Sequence, residues 1–438
     1  MLMFTYVKKL LRQLPVIAAL LPSLVLNDIA TVQALDRRVG GVFFLDVNYG
    51  STKGAITSGD TMMSSKLGHN RTKSGRRYAM ALVEGEEIAS FSDHDVTGTL
   101  AFANYTGFDP STVVFYDEHG VVVATVSIAG VLVAGSGSIT ATGTVNTAGV
   151  YTVDIIGMDT ASAVTATYEY KYDMPVDANN NYKGVPEANV AMTQSTITAI
   201  DFPIRMKYSV GASIDLKKAH GIDLENEMIK CLGNEVKFTI DQYGIDLMDA
   251  ASLGAGAATA VGNWNAGIRS GQEWVWKKQE LLDVVYQGSN AIYNKTLRGV
   301  ANFMVCGNNV ARVIRQLPDS MFKSVSKGKS AIPTGPMVIG TLDDSITVVQ
   351  NPFMSDAKIS GITYSGQDRF FLGWKGDQFL TSSFIYAPYV PLFTTPTLLT
   401  SDLMAQKGFL SAAGFKVIND GLFCNGTISN IRTATAEA

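Results

Sequence analysis

The sequence predicts an α+β protein that carries an inserted β-sandwich. Three observations predict it. A helical apolar stripe runs from Ile222 to Ala251, a stretch of period-two alternation fills 96–172, and the segment 48–77 between two apolar strands holds few large apolar groups.

The stripe is the organising element. Leu224, Met228, Leu232, Val236, Ile240, Tyr243 and Leu247 recur every three or four residues, which lines one face of an α-helix. Asp223 is placed to cap it, and Glu225 and Glu227 sit in the first turn, where acid favours the helix dipole. A helix of about 30 residues spans roughly 45 Å. Gly233 and Gly244 lie inside it, each costing about 1 kcal/mol relative to alanine. Packing must offset that cost, so the helix is expected to lie against a sheet.

Bulk properties narrow the class. A chain of 438 residues is long enough for two or three domains with real cores. Charged residues are 17%, against a usual value of about 25%, while hydrophobic residues are 46%. Part of that apolar surplus is expected at contacts between chains. A net charge of −4 excludes a whole-molecule basic nucleic-acid binder. Cys231, Cys306 and Cys424 are odd in number and far apart, no CxxC occurs, and there are four histidines. That argues against a disulfide framework or a zinc site, and it fits synthesis in a reducing cytosol. No cofactor, metal or membrane span is expected.

Residues 1–26 read as an amphipathic arm. Phe4, Val7, Leu10, Leu11 and Leu14 form its apolar stripe around Lys8, Lys9 and Arg12. The same residues have signal-peptide grammar, with an apolar run from Leu14 to Leu26 and Val32-Gln33-Ala34 as a cleavage-like site. Pro15 and Pro22 break that run, and it is too short to span a membrane. The alternative reading is therefore an exported β-rich binding or adhesion protein.

Gly41–Val47 and Tyr78–Val83 read as strands. The segment between them cannot bury a core of its own. A long hairpin whose tip rests on another molecule is one way to order it. Its tip is basic, with Lys66, His69, Arg71, Lys73, Arg76 and Arg77. A solvated loop, a nucleic-acid patch and charge pairing with an acidic neighbouring subunit are the open readings, although the tip has no interleaved aromatic side chains on which bases could stack.

Candidate strands at 97–103, 112–116, 121–128, 138–145, 150–156 and 164–172 suggest a small β-sandwich. Asp117-Glu118-His119-Gly120 and Asn146-Thr147-Ala148-Gly149 supply turns. The immunoglobulin-like label rests on strand spacing alone. After the linker 173–186 come strands at 189–200 and 204–210, then the long helix, a small-residue loop at 254–262, and a second helix at 272–294. From Val300 an α/β region begins, with Asn308 expected to cap a short helix at 309–316. Strands follow at 337–342, 345–349, 369–375 and 379–386. Residues 408–431 are β-rich and are expected to return beneath the long helix, and 432–438 form a tail.

No catalytic pattern emerges. Asp343-Asp344 and Glu86-Glu87 are adjacent acids, which point to opposite faces of a strand and are expected to be solvated. His220 is expected to be a helix-terminal surface residue, and the three cysteines inert core thiols. There is no GxSxG, HExxH or Walker motif. An enzyme is not expected.

Three segments carry a family resemblance. The first runs from Pro22 and Leu24 through Asn27-Asp28-Ile29 and Val32-Gln33 to Gly40–Leu45 and Tyr49-Gly50. The second is Ile204–Ser209 with Asp215–Asp223 and Glu225. The third is Phe371–Gly376 with Phe384–Leu392. In this order they resemble the major capsid proteins of T-even-type tailed bacteriophages.

That resemblance implies the Hong Kong 97-like phage capsid fold: an N-terminal arm, an extended loop, a peripheral domain with a spine helix, and an axial domain. Mapped on this chain, 1–40 is the arm, 41–95 the extended loop, 96–173 the inserted sandwich, 174–296 the peripheral domain, 297–400 the axial domain, and 401–438 the return strands and tail. It implies self-assembly into hexamers that tile an icosahedral or prolate shell around double-stranded DNA, without sequence-specific DNA binding. Pentamers are built from this chain or from a separate vertex protein. The expected partners are other copies and further head proteins: vertex, portal, scaffold or decoration. The expected place is the virion head, assembled in the host cytoplasm. Expected contacts between subunits are Lys66, Arg71, Lys73, Arg76 and Arg77 in the extended loop and Phe4, Val7, Leu10 and Leu11 in the arm. The matching region starts almost at Met1, so little trimming of the N-terminus is expected.

Overall fold

A computed structural model describes residues 24–64, 68–69, 77–89, 95–101, 108–117, 119–135, 140–156, 163–170, 186–258, 262–267, 273–325, 335–359, 361–376 and 382–430. In chain order these form α1 (Leu26–Ile29), β1 (Thr31–Val32), β2 (Val39–Tyr49), β3 (Thr61–Ser64), β4 (Gly68–His69), β5 (Leu82–Ala89), β6 (Asp95–Thr99), β7 (Val114–Tyr116), β8 (Val122–Val126) and β9 (Leu132–Ala134). Next come β10 (Thr140–Val145), β11 (Val150–Ile156), β12 (Val164–Glu169), β13 (Ala188–Ser209), α2 (Val210–His220), α3 (Leu224–Leu253), β14 (Asn263–Asn265), α4 (Trp274–Thr296), β15 (Phe303–Cys306), α5 (Asn308–Ile314) and β16 (Phe322–Ser324). The last are β17 (Met337–Leu342), β18 (Ile346–Gln350), β19 (Ala357–Ile359), β20 (Ile362–Tyr364), β21 (Arg369–Gly373), β22 (Phe384–Thr394), β23 (Leu398–Leu399), β24 (Met404–Val417) and β25 (Phe423–Ser429).

The described chain divides into two compact units, with the divisions falling inside β2 and inside β13. One unit holds 24–44 and the residues from 194 onward; the other holds the described residues of 45–64 and 68–193.

In the first unit a seven-stranded sheet runs β14-β25-β21-β15-β18-β17-β16. Both its faces are covered, which is why β15 reads as the unbroken apolar run Phe303-Met304-Val305-Cys306, all buried. Alternate residues serve different cores. Phe303, Val305, Phe371 and Phe423 pack with Val236, Ile240, Ile245 and Met248 of α3. Met304, Cys306, Phe370, Leu372 and Cys424 pack with Leu281, Val285 and Ile292 of α4 and with α5. A second path, β1-β22-β24-β13, belongs to the same unit, with β13 and β24 antiparallel from Ala199↔Gly414 to Ser209↔Met404. The spine helix α3 therefore lies against sheet, as its internal glycines required. The strands at 189–200 and 204–210 are one strand, β13, which continues through Pro203.

Asp223 caps α3, accepting the Glu225 N–H at 3.2 Å. Glu225 does more than favour the dipole. It accepts from Lys407 Nζ at 2.7 Å and from Thr397 Oγ1 at 3.1 Å, tying the first turn to β24. The Lys407 hydrogen bond holds its carboxyl below the usual range. His220 ends α2 and the left-handed Gly221 caps it.

Several expectations change. The cap of α5 is Gly307; Asn308 is the first helical residue, and its side-chain oxygen accepts from Gln350 Nε2. Asp343 and Asp344 are not strand residues. Both have positive φ in the tight turn between β17 and β18, where short polar side chains tolerate the left-handed region. Cys231 is exposed on α3, whereas Cys306 and Cys424 are core thiols. Residues 432–438 lie outside the described residues.

In the second unit the sheets β10-β11-β6 and β5-β12-β7-β8-β9 share a single core that includes Val83, Phe115, Val123, Tyr151, Val153, Ala166 and Tyr168. The expected turns share one chemistry. Asp117 Oδ1 accepts the N–H groups of His119 and Val121, and Asn146 Oδ1 those of Ala148 and Val150. The strand expected at 78–83 lies at Leu82–Ala89 and pairs with β12 of the sandwich. Its Glu86 is not merely solvated: it accepts from the Tyr168 hydroxyl at 2.5 Å and from the Ala101 N–H at 2.8 Å. The hairpin proper is β2-β3-β4, with Val47 opposite Met63.

Candidate functional site

Of the contact residues expected from sequence, only Arg77 lies among the described ones. Phe4, Val7, Leu10, Leu11, Lys66, Arg71, Lys73 and Arg76 lie outside them. Arg77 is exposed, with its backbone N–H 3.4 Å and its Nε 4.0 Å from the Glu84 carboxylate. Part of its charge is thus met within its own unit.

Behind Arg77 sits a cluster that sequence reasoning missed. Lys53 is buried, and its Nζ donates to the carbonyls of Tyr78, at 2.8 Å, and Met80. The rings of Tyr170 and Tyr78 lie 5.0 and 5.8 Å from it. Burial pulls the ammonium down to about 8, against the opposing charge of Glu84. The Tyr78 hydroxyl donates to the carbonyls of Ser51 and Glu187. Lys53 and Tyr78 together fix the base of the hairpin.

The first unit shows how residues 24–32 are anchored. Leu24, Leu26, Ile29 and Ala30 are buried against α3. Asp241 on α3 is 1% exposed and accepts the Val25 and Leu26 N–H groups at 3.3 and 3.2 Å. Gly244 makes room one turn on, since a Cβ there would meet the Leu26 methyl carbons at 2.7 and 2.8 Å. At the other end Lys375 Nζ donates to the Asn27 carbonyl at 2.6 Å, and β1 pairs in parallel with Ile385 and Tyr386 of β22. Burial raises the Asp241 carboxyl to about 6 even though the two backbone N–H groups favour its charged form. Burial, and then Asp241, push the Tyr386 phenol to about 12.

A second buried acid, Asp249, receives Arg369 of β21 in a two-pronged pair at 2.7 and 3.1 Å, with the arginine fully buried. Burial holds the Asp249 carboxyl above its usual range, against the pull of Arg369. The sequence carries a signal for it: Asp241 and Asp249, eight apart, fall on one helical face with Ile245 between them.

Among the described residues no three His, Cys, Asp or Glu side chains are grouped to hold a metal, and no helix is long and apolar enough to cross a membrane. What the first unit does present is uncovered apolar surface. Helix α2 has no buried residue. Leu398, Leu399 and Leu403 are 64%, 70% and 73% exposed, and Leu403 is held at a φ of 53°. Pro203, Phe393, Phe409 and Leu410 line an open groove of about 330 Å³.

The first unit thus combines a long helix braced against sheet with apolar side chains left uncovered on its surface. The family model for the major capsid protein Gp23 matches residues 12–435. The chain belongs to that family, so its role is structural and its place is the head capsid of the virion. The major capsid protein of Vibrio phage KVP40 is 26% identical over 407 residues, which cover 90% of this chain and 72% of that protein. The major capsid protein of Enterobacteria phage T4 is 25% identical over 240 residues, covering 52% of this chain and 43% of that one. The match thus spans less than half the length of the T4 relative. Among solved structures, the capsid of Myoviridae phage XM1 is similar with a TM-score of 0.37 and 12% identity, over 78% of this chain and 96% of that chain. The family match does not favour an exported adhesion protein.

Proposed function

We propose that copies of this chain assemble into hexameric capsomers that tile the head shell of a tailed phage and enclose double-stranded DNA without reading its sequence. The uncovered apolar surface of the first unit supports this most directly. Exposed apolar residues on α2 and on the β23–β24 hairpin leave that unit incomplete on its own. Contacts between unlike surface patches that close generate rings, and rings can then tile. A net charge of −4 suits a DNA container, because strong binding to the wall would oppose packaging and release. The domain plan follows the family: arm at 1–40, extended loop at 41–95, inserted sandwich at 96–173, peripheral domain at 174–296, axial domain at 297–400, and return strands and tail at 401–438. The chain acts as a building block of the shell and not as an enzyme. Its partners are other copies and further head proteins, and assembly takes place in the bacterial cytoplasm.

Lys66, Arg71, Lys73, Arg76 and Arg77 of the loop and Phe4, Val7, Leu10 and Leu11 of the arm contact neighbouring subunits in this reading. Electron microscopy of the purified protein is expected to show capsomers or shells, and monodisperse monomers at high concentration would overturn the proposal. Reversing the charge of Arg71, Arg76 and Arg77 together is expected to impair assembly while shifting the monomer's Tm by less than about 2 °C, as for surface substitutions. An early-melting monomer would instead place these residues in the subunit's own core.

A further inference from the structure

We propose that the outward sheet face of the β-sandwich docks on the open face of the β13–β24–β22 sheet of a second copy of this chain, through apolar contact and pairing of Glu87 and Glu169 with Arg205 and Lys207. This contact presupposes the capsomer reading above. Charge is divided unevenly along the chain. Residues 78–170 hold eleven Asp and Glu and no Lys or Arg. All 35 Lys and Arg lie outside that stretch with 28 of the 39 acids, so the remainder carries +7 while the whole chain carries −4. The sandwich acids have no cation within 78–170 to neutralise them.

The basic face belongs to the first unit. From Asp201 onward, alternate residues of β13 face opposite ways. Phe202, Ile204 and Met206 pack towards α3. Asp201, Pro203, Arg205, Lys207 and Ser209 are exposed on the other side. Pro203 lies opposite Leu410, Arg205 opposite Gly408 and Lys207 opposite Gln406. On the far side of β24, Phe393 lies opposite Leu410 and Leu398 opposite Gln406. Opposed residues share a face, so Pro203, Phe393, Leu398 and Leu410 form an apolar strip edged by Arg205 and Lys207. Phe393 and Leu398 are 53% and 64% exposed, and Gly408, with no side chain, helps leave the groove open. Asp201 is paired with Arg38, whereas Arg205 and Lys207 have no acidic partner among the described residues.

The acidic face belongs to the second unit. In β12, Val164, Ala166 and Tyr168 are buried in the sandwich core, and Thr165, Thr167 and Glu169 turn outward. Glu87 lies opposite Thr165 on one side; Tyr116 and Val114 lie opposite Thr165 and Thr167 on the other. The same row continues through Thr125 to Val133, which is 51% exposed. Glu87 and Glu169 are exposed and have no cationic partner among the described residues. Each unit thus leaves one sheet face uncovered among its own described residues, one apolar and acidic, the other apolar and basic. Two such faces can pack with their side chains interdigitated. Because the faces differ, their contact between copies is heterologous, the kind that closes into rings. Opposite charge fixes which face meets which.

Assembly of the full chain against concentration, followed by light scattering and electron microscopy, tests the contact. Arg205→Glu with Lys207→Glu, and separately Glu87→Lys with Glu169→Lys, are each expected to raise the concentration needed for assembly by about tenfold or more, because like charges then face each other. Each paired variant is expected to keep its monomer Tm within about 2 °C of the native chain, as for exposed positions. An equal mixture of the two variants is expected to assemble near the native concentration, since each sandwich then meets a face of opposite sign on the other variant. The chain with all four substitutions is expected to do the same by itself. Paired variants that assemble like the native chain would overturn the contact. So would failure of the mixture to recover: recovery in the four-substitution chain alone would mark a contact inside one subunit. An early-melting paired variant would place these charges in the subunit's own fold and overturn it too. A native chain that stays monomeric would overturn the capsomer reading itself, and this contact with it.

Discussion

Replacing Arg369 with methionine is expected to cost about 3–5 kcal/mol of stability, as breaking a buried ion pair typically does. The arginine is fully buried. Its guanidinium also donates to the Ser355 carbonyl at 2.6 Å, so it joins α3, the loop before β19 and the start of β21. Methionine fills much of the volume but leaves Asp249 buried without its cation. The paired change Arg369→Met with Asp249→Leu removes both charges and is expected to recover most of the loss, because an uncompensated charge costs more than an absent pair. Urea midpoints of the unassembled native, single and double variants test this. A single variant within about 1 kcal/mol of the native chain, a typical surface effect, would show that the pair does not hold the helix to the sheet.

Gly366→Ala is expected to cost about 3 kcal/mol, at the upper end of overpacking in a core. Gly366 is buried, and its N–H donates to Asp356 Oδ1 at 2.8 Å. A methyl group there would overlap the Met354 carbonyl oxygen. On the facing segment, a methyl on Gly307 would overlap the carbonyls of Gly366 and Gln367. The obstacles are backbone atoms, so no rotamer change relieves them. Gly211 is the control. It lies on the exposed helix α2, where an added methyl group would meet nothing within 4 Å. Gly211→Ala is expected to be neutral or to stabilise by up to about 1 kcal/mol, following helix propensity. Thermal melts of the two variants side by side separate a packing effect from a general intolerance of alanine.

Local pattern is legible wherever one short-range rule decides the outcome. The α3 helix, its Asp223 cap and the two side-chain-closed sandwich turns lie where spacing and turn chemistry place them. Short strands are harder. The three-residue β9 leaves no trace in the pattern because Leu132–Ala134 is too short to show a period. Leu82–Ala89 follows a loop and so resembles the return strand of a hairpin; its pairing with β12 is a contact some eighty residues distant that no local pattern encodes. Asp343 and Asp344 have β-like flanks, while their turn depends on two left-handed residues in succession.

The amino-acid order alone settled the periodic elements, the absence of familiar catalytic motifs and the resemblance to phage capsid proteins, because each depends on residue type at short spacing. Folding in three dimensions decided which acids lose their water. Asp241 and Asp249 look in sequence like polar residues of an amphipathic helix, yet one binds the backbone of the entering chain and the other binds Arg369. Burial is a property of what packs on top. The partners that bury these two carboxylates arrive from positions more than a hundred residues away along the chain.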